Sequence, residues 1–214
     1  MTTASTALAT PFRENRFLHA LCGLFLLVWI VSAIHPEIPE DWLLENLLVF
    51  LLVGILMFSY PWLVLSQTSY LVLFVFLCLH EAGAHYQYAA VPAGEWVKQW
   101  LHLPRNHYDR WVHFLFGLLL AYPQREVLLR KAKISPGWAA GLAVATTLAL
   151  GAMYEIIEAV VASVASPEAG DAYLGSQGDP WDSQKDMFMG WSGAVVSMTA
   201  VTLFRRKFAF PRRS

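Results

Sequence analysis

The chain has 214 residues, of which 57% are apolar and only 14% are charged, and its mean hydropathy is +0.45. This composition lies far outside the averages for soluble domains and excludes a soluble globular protein. The formal net charge of −1 reflects nearly balanced basic and acidic residues, which are divided between different parts of the chain. No nucleic-acid partner is predicted, and the lipid bilayer is the predicted partner.

Six apolar windows predict an all-α fold, a single polytopic membrane helix bundle. Each window holds about 18 to 20 apolar residues, enough to cross roughly 30 Å of hydrocarbon. The predicted spans lie near 17–34, 42–60, 67–88, 109–128, 138–162 and 185–204. The membrane domain that they form, 17–204, is flanked by an N-terminal arm, 1–16, and a basic tail, 205–214. Cys22 and Cys78 fall inside spans at different depths, which predicts two free thiols rather than a disulfide.

The basic residues predict the orientation of the bundle. One side carries Arg13, Arg16, Arg125, Arg130, Lys131, Lys133 and the five basic residues of the tail, whereas the other side carries only Lys98, Arg105, Arg110 and Lys185. Because basic residues concentrate in cytoplasmic connections, both termini are predicted to be cytoplasmic. Connections 35–41, 89–108 and 163–184 then face outward.

Two of the outward connections have predicted structure of their own. In 89–108, Trp96, Trp100 and Leu103 recur at i, i+4 and i+7, which predicts a short helix lying in the outer headgroup layer; a lip that guides substrate is the alternative. Segment 163–184 has the Gly, Ser, Pro and Asp content of an ordered loop or lid. Within it, Asp179 as N-cap and the following proline at N1 predict the start of the last span.

Polar residues gather at one depth, near the outward face. The third span ends in the sequence LCLHEAGAHYQYA, which places His80, Glu81 and His85 in its last turns. The other polar groups fall at the start of the fourth span, the end of the fifth and the start of the sixth. Four pairs at helical spacing can each point at one centre: Glu81 with His85, Asp109 with His113, Glu155 with Glu158, and Asp182 with Asp186.

This density of carboxylates predicts a divalent metal ion, because like charges in one pocket either raise each other's pKa values or require a cation. The predicted ligands are Glu81, His85, Asp109, His113, Glu155, Asp182 and Asp186. Carboxylate and imidazole ligands suit Zn, Mn, Fe or Mg and do not distinguish among them. Glu158 or His80 is the predicted general base, and Arg105, Arg110 and His107 are predicted to bind substrate. The alternative is a structural or proton-binding network without metal.

Several motifs together resemble the YjdF-like family of bacterial inner-membrane proteins. They are HEAGAHYQY, PAGEW, RNHYDRWVHF, QREVLLR, YEIIE and GDAYLGSQGDPWDSQKDM, which span about 40 to 205. The resemblance implies a six-span protein of the inner membrane and carries no established activity. A weaker likeness to the VanZ-like family, linked to glycopeptide resistance at the cell envelope, rests on Glu155, Asp182, Asp186 and Gly193. The histidine motifs depart from that pattern.

Three functions fit these observations. The leading hypothesis is a metal-dependent membrane enzyme that hydrolyses or transfers a phosphate-linked or ester-linked headgroup of a lipid-like, anionic substrate at the outer face. The second is a cation or proton-coupled transporter, which the almost purely apolar inner halves of the spans and the lack of an inverted repeat disfavour. The third is a non-catalytic membrane scaffold whose polar cluster fixes helix register.

Overall fold

The computed structural model describes residues 11–166, 170 and 173–204, so most of the N-terminal arm and the whole basic tail lie outside the described residues. Within these ranges the chain is helical and has no strand. The α-helices are α1 (Arg16–Ser32), α2 (Pro39–Ser59), α3 (Gln67–Tyr86), α4 (Pro92–Leu101), α5 (Tyr108–Arg130), α6 (Pro136–Val164) and α7 (Asp182–Leu203). Short 3-10 turns cover Phe12–Glu14 and Tyr88–Ala90.

Helices occupy all six predicted windows, and three of them are long and apolar enough to cross a membrane: α2, α3 and α6. Helix α1 is apolar but shorter, with 17 residues. Helices α5 and α7 are less apolar because they carry the ionisable residues of the buried face. The protein is therefore an all-helical membrane protein over the described residues. The count of six spans and the orientation stay predictions.

Helix α5 is the centre of the bundle and packs against α3, α6 and α7. On its one side, Leu120 joins Leu21 of α1 and Leu73 of α3 in a buried cluster. On its other side, Ala121 meets Ala143 of α6 and Ala194 of α7, all with no exposed surface. Small residues at these contacts allow close approach of the helix backbones, which is how helices gain packing energy in lipid.

Two glycines bring α5 and α7 into backbone contact. A Cβ atom on Gly117 of α5 would overlap the carbonyl oxygen of Gly190, and one on Gly193 of α7 would overlap the carbonyl oxygen of Phe114. Any larger residue at either position would therefore push the two helices apart. This contact fixes the register of α5 against α7, and with it the depth at which their polar residues meet.

The connections between helices gather at two ends. One end, called the site end, is where the polar residues of α5 and α7 lie. There the Glu37 backbone amide donates to the carbonyl oxygen of His85 at 2.9 Å, and the Gln87 side-chain amide donates to Asp41 at 2.8 Å. At the opposite, basic end, Arg130 donates to the carbonyl oxygen of Val64. The α1–α2, α3–α5 and α6–α7 connections thus share one end, and α2–α3 shares the other with α5–α6.

The basic end holds a buried acid that contradicts the expectation of purely apolar inner halves. Glu126 of α5 has no exposed surface and accepts hydrogen bonds from the backbone amide and hydroxyl of Ser66, both at 2.8 Å, and from the Ser69 hydroxyl. Arg130, one turn along α5, donates to it at 2.7 Å. The carboxylate accepts the backbone N–H of Ser66, the N-cap residue of α3, and two hydroxyl groups of the same turn, so it ties that helix to α5.

The short helix predicted in the third connection is confirmed as α4, with a correction at its end. Trp96 and Trp100 share one exposed face, at 71% and 78% exposure. His102 then takes a left-handed conformation, with φ 53°, and ends the helix. Leu103 is consequently not part of the helical face. The position of α4 in the headgroup layer stays a prediction.

The last helix begins later than predicted. Helix α7 starts at Asp182, after Trp181 in the N-cap position, and no side chain caps it. Asp179 instead accepts a hydrogen bond from the Trp181 amide at 3.1 Å within the preceding turn. Asp179 also pairs with Arg105, Arg110 and Lys185, and it lies in a turn where the helix start was expected.

Candidate metal centre

Three side chains at the site end form the tightest group of possible metal ligands among the described residues. One atom each of Asp109, His113 and Asp186 lie within 4.8 Å of one another. Asp109 and His113 are one turn apart on α5, with 3.4 Å between Oδ1 and Nε2. Asp186 joins them because the glycine contact sets the start of α7 beside the start of α5. Two carboxylates and an imidazole are a ligand set that suits a hard or borderline divalent ion.

Glu155 of α6 lies beside this group of three. Its Oε1 lies 3.7 Å from Nε2 of His113. Glu155 Oε1 and Asp186 Oδ1 are buried and have no hydrogen-bond partner, although their residues are only 7% and 2% exposed. Buried carboxylate oxygens without a donor are costly, so each of them is open to a cation.

Arg105 and Arg110 turn towards the start of α7 rather than towards a substrate. Arg105 donates to Oδ1 of Asp182 at 2.8 Å, and Arg110 donates to the same atom at 2.5 Å. Arg110 also forms an ion pair with Oδ2 of Asp186. The predicted ligand Asp182 is thus held by two guanidinium groups. Neither arginine, nor His107 at the N-cap of α5, lines a cavity of the site end.

A lid, residues 173–181, covers this group. Gln177 and Asn106 exchange two hydrogen bonds, at 2.9 and 3.0 Å, and Arg105 donates to the carbonyl oxygen of Ser176 at 3.1 Å. The hydrogen-bonded ammonium of Lys185 holds the pKa of Asp179 below its usual range. The predicted lid is therefore an ordered segment over residues 173–181. Residues 167–169, 171 and 172 of that connection lie outside the described part of the chain.

Two adjoining cavities lie between the lid and the helices. The chamber has a volume of about 280 Å³ and is lined by Asp109, Glu155, Glu158, Leu174, Ser176, Asp179, Pro180, Asp182, Ser183, Gln184 and Asp186. The recess, of about 20 Å³, is lined by Asp41, Glu45, Gly83, Ala84, Gln87, Tyr88, Asp109, Glu158, Tyr173, Leu174 and Gly175. Asp109, Glu158 and Leu174 belong to both walls. The predicted base Glu158 thus faces the space beside the metal group.

The first predicted ligand pair, on α3, points elsewhere. Glu81 has no exposed surface and accepts a hydrogen bond from the Ser32 hydroxyl of α1 at 2.5 Å. His85 Nδ1 lies 2.8 Å from the carbonyl oxygen of Ser32. Helical spacing places both residues on one face of α3, but that face meets α1 and α2 instead of α5. Of the four pairs, Asp109 with His113 joins the metal group as a whole and Asp186 joins it without Asp182, whereas Glu81 and His85 lie apart from it.

His80 is also outside the cavity walls. Its Nε2 lies 3.2 Å from the carbonyl oxygen of Glu45, and its Nδ1 lies 2.7 Å from the hydroxyl of Tyr88. Both ring nitrogens therefore have partners within the bundle. This arrangement supports Glu158 over His80 as the group that faces a reactant.

Helix α2 supplies acids that the sequence reasoning missed. Glu45, 5% exposed, accepts hydrogen bonds from the Tyr154 hydroxyl at 2.9 and 3.1 Å and lines the recess with Asp41. The signal was present, because Glu45 is an acid inside an apolar window, and such residues are functional candidates by default. Burial raises the pKa of the Tyr88 and Tyr173 phenols well above their usual value, so both hydroxyls that line the recess are neutral.

The helices and the buried acids at one end of the bundle define an integral membrane protein. The chain belongs to the family described as "Predicted membrane protein (DUF2238)", whose model matches residues 17–207. A curated relative, "Inner membrane protein YjdF" of Escherichia coli (strain K12), is 35% identical over 179 residues, which are 83% of this chain and 85% of the relative. No solved structure matches the chain. The predicted family is confirmed.

Proposed function

We propose that the chain crosses the inner membrane six times, through α1, α2, α3, α5, α6 and α7, with both termini in the cytoplasm. Helices α5 and α7, with 23 and 22 residues, are about 33 to 35 Å long at helical rise, which is enough to span hydrocarbon. Their charged groups lie near the helix ends or face the bundle. The basic end, with Arg130 and Lys131, fits the cytoplasmic side.

Thiol labelling tests this topology. In a variant that lacks Cys22 and Cys78, a cysteine at the exposed position Ala93 of α4 should react with a membrane-impermeant maleimide in intact spheroplasts. A cysteine at the exposed position Ser135, before α6, should react only after permeabilisation, because it lies at the basic end. Labelling of Ser135→Cys in intact spheroplasts together with protection of Ala93→Cys would reverse the proposed orientation.

We propose further that this protein binds one divalent metal ion between Asp109, His113 and Asp186. The observation that carries the proposal is the approach of three ligand atoms to within 4.8 Å, beside two buried carboxylate oxygens without hydrogen-bond partners. Arg110 occupies only Oδ2 of Asp186, so Oδ1 stays available. The donor set fits an ion that prefers oxygen and nitrogen, and Glu155 is placed to serve as a further ligand.

The chemistry supported best is hydrolysis or transfer of a headgroup from a lipid-like substrate. A bound divalent ion would polarise the scissile bond and lower the pKa of a water molecule. Glu158, in the wall shared by the chamber and the recess, would take the proton of that water. The lid would exclude bulk water from the chamber.

Metal content of the purified protein tests the site. Wild type is expected to hold one equivalent of a divalent metal by elemental analysis, and Asp186→Asn and His113→Ala are expected to lose at least about nine-tenths of it, since a lost ligand costs 10-fold to 100-fold in affinity or more. Glu81→Gln is the discriminating control. It changes a predicted ligand that instead accepts a hydrogen bond from Ser32 of α1, so the metal content of this variant should equal that of wild type.

Two outcomes would contradict the proposal. Folded wild type without stoichiometric metal, after purification in metal-replete buffer, would remove the site altogether. Loss of metal from Glu81→Gln, at unchanged thermal stability, would show that α3 supplies a ligand and that the group of three is the wrong set.

A further inference from the structure

The walls of the chamber and the recess carry charge of one sign. They include eight different carboxylates: Asp41, Glu45, Asp109, Glu155, Glu158, Asp179, Asp182 and Asp186. No Lys, Arg or His is among the described residues that line either cavity. A low-dielectric cleft lined by acids concentrates cations and repels anions. An anionic headgroup is therefore a poor match to this space.

The nearby Lys and Arg side chains neutralise only the acids at the start of α7 and in the lid. Arg105 and Arg110 bind the acids at the start of α7, and Lys185 binds the lid residue Asp179. Along the described ranges, neither Lys nor Arg forms an ion pair with Glu45, Glu155 or Glu158. Glu155 is nine-tenths buried, lines the chamber, and has its Oε1 without a hydrogen-bond partner. The ion-pair partners that face Glu45 and Glu155 are imidazoles, since His80 Nε2 lies 3.9 Å from Oε2 of Glu45 and His113 Nε2 lies 3.7 Å from Oε1 of Glu155.

A second metal ion does not account for these acids. Over the part of the chain that the structure describes, Asp109, His113 and Asp186 are the one group with three ligand atoms within 4.8 Å. The remaining carboxylates are spread over α2, α6 and the two cavities. The acids that line the recess can accept hydrogen bonds from a cation that carries several N–H donors, as a primary ammonium does.

The recess fits the ammonium end of such a molecule. Its volume of about 20 Å³ has room for about one water-sized group. A primary ammonium has this size and a trimethylammonium does not. Glu45 and Glu158 can accept its N–H groups, and Tyr88 and Tyr173 line the same space. The chamber, with about 280 Å³, holds the rest of a small polar headgroup next to the metal group.

We infer that the chamber and the recess receive a primary ammonium group, so that the substrate is an amine-bearing headgroup rather than an anionic one. This inference rests on the proposed function for its reaction, since the metal group adjoins the chamber. The binding of the ammonium itself rests on the acids of α2 and α6. The ammonium group belongs either to a lipid headgroup or to a free amine.

Calorimetry on protein in phosphatidylglycerol nanodiscs tests the inference. Ethanolamine is titrated into metal-loaded and EDTA-treated protein, with inorganic phosphate and choline as comparison ligands. Ethanolamine is expected to bind at least about tenfold more tightly than either, with or without metal, because a charged hydrogen bond in a buried site is worth that factor or more. Binding of ethanolamine to EDTA-treated protein tests this inference independently of the metal proposal. The metal proposal itself is tested by elemental analysis.

Variants identify the site. Glu158→Gln and Glu155→Gln are each expected to weaken ethanolamine binding about tenfold at unchanged melting temperature. Glu95→Gln, on the exposed face of α4 and outside both cavities, is the matched control and should bind like wild type. Equal binding of phosphate or choline, absence of ethanolamine binding by folded protein, or full binding by both glutamine variants would each overturn the inference.

A change of lipid distinguishes the two sources of the amine. If the ligand is a lipid headgroup, nanodiscs with phosphatidylethanolamine should reduce the apparent affinity for added ethanolamine by competition. If the ligand is a free amine, the affinity should be the same in both lipids. Either result supports recognition of a primary ammonium.

Discussion

Gly117→Ala is expected to separate α5 from α7 and to lower the free energy of unfolding by about 3 kcal/mol or more, the upper range for overpacking in a well-packed contact. The added methyl group would occupy the position of the Gly190 carbonyl oxygen, which is backbone and cannot rotate away. Because the same contact sets Asp186 beside Asp109, the variant is also expected to lose its metal. Thermal unfolding in detergent, followed by circular dichroism, measures the first effect.

Gly141→Ala is the matched control for this experiment. Gly141 lies in α6, on a surface where an added Cβ atom would meet nothing within 4 Å. The same change there should leave stability and metal content unaltered or slightly improve the helix. A Gly117→Ala variant as stable as Gly141→Ala would mean that α5 and α7 do not approach through this glycine.

Arg110→Met is expected to cost about 3 to 5 kcal/mol of stability, the range measured when one partner of a buried ion pair is removed. Arg110 is 7% exposed and lies between Asp182 and Asp186. Its removal leaves Asp186 buried without its arginine partner and leaves Asp182 with Arg105 alone. The melting temperature of the purified variant measures the effect. Lys98→Met is the control, since the Lys98–Glu95 pair is exposed and should contribute less than about 1 kcal/mol.

A second substitution separates lost charge from lost packing. In the double variant Arg110→Met with Asp186→Asn, the stranded charge of Asp186 is gone, so part of the stability should return. A double variant less stable than Arg110→Met alone would show that Asp186 stabilises the bundle in some way other than as a partner of this arginine.

The helices could be predicted from the sequence, and so could the common depth of Asp109, His113 and Asp186, whose ligand atoms lie within 4.8 Å of one another. Their role as metal ligands stays a prediction. Hydrophobic windows locate helices because the bilayer requires about 20 apolar residues for each crossing. Helical spacing then pairs Asp109 with His113, and depth counting brings Asp186 to the same level. Both arguments use distances along a helix axis, which the sequence gives directly.

The sequence does not give the direction in which a helix face points. Glu81 and His85 share a face of α3, but spacing alone does not tell which neighbouring helix that face meets. In the structure Ser32 of α1 meets it. The arginines beside the lid were assigned to a substrate because charge type suggests a partner of opposite sign. The acids of this chain itself, Asp179 and Asp182, satisfied them first.

The paired amides of Asn106 and Gln177 have a mechanical consequence. Asn106 also donates to the carbonyl oxygen of Val91 at the start of α4, at 3.1 Å, and its amide lies so close to Gly94 that a Cβ there would overlap it. Hydrogen bonds of Asn106 thus tie the segment over the chamber to the tryptophan-bearing helix. If α4 lies in the outer headgroup layer as predicted, a change in the thickness or packing of that layer at Trp96 and Trp100 would reach the segment over the chamber through Asn106.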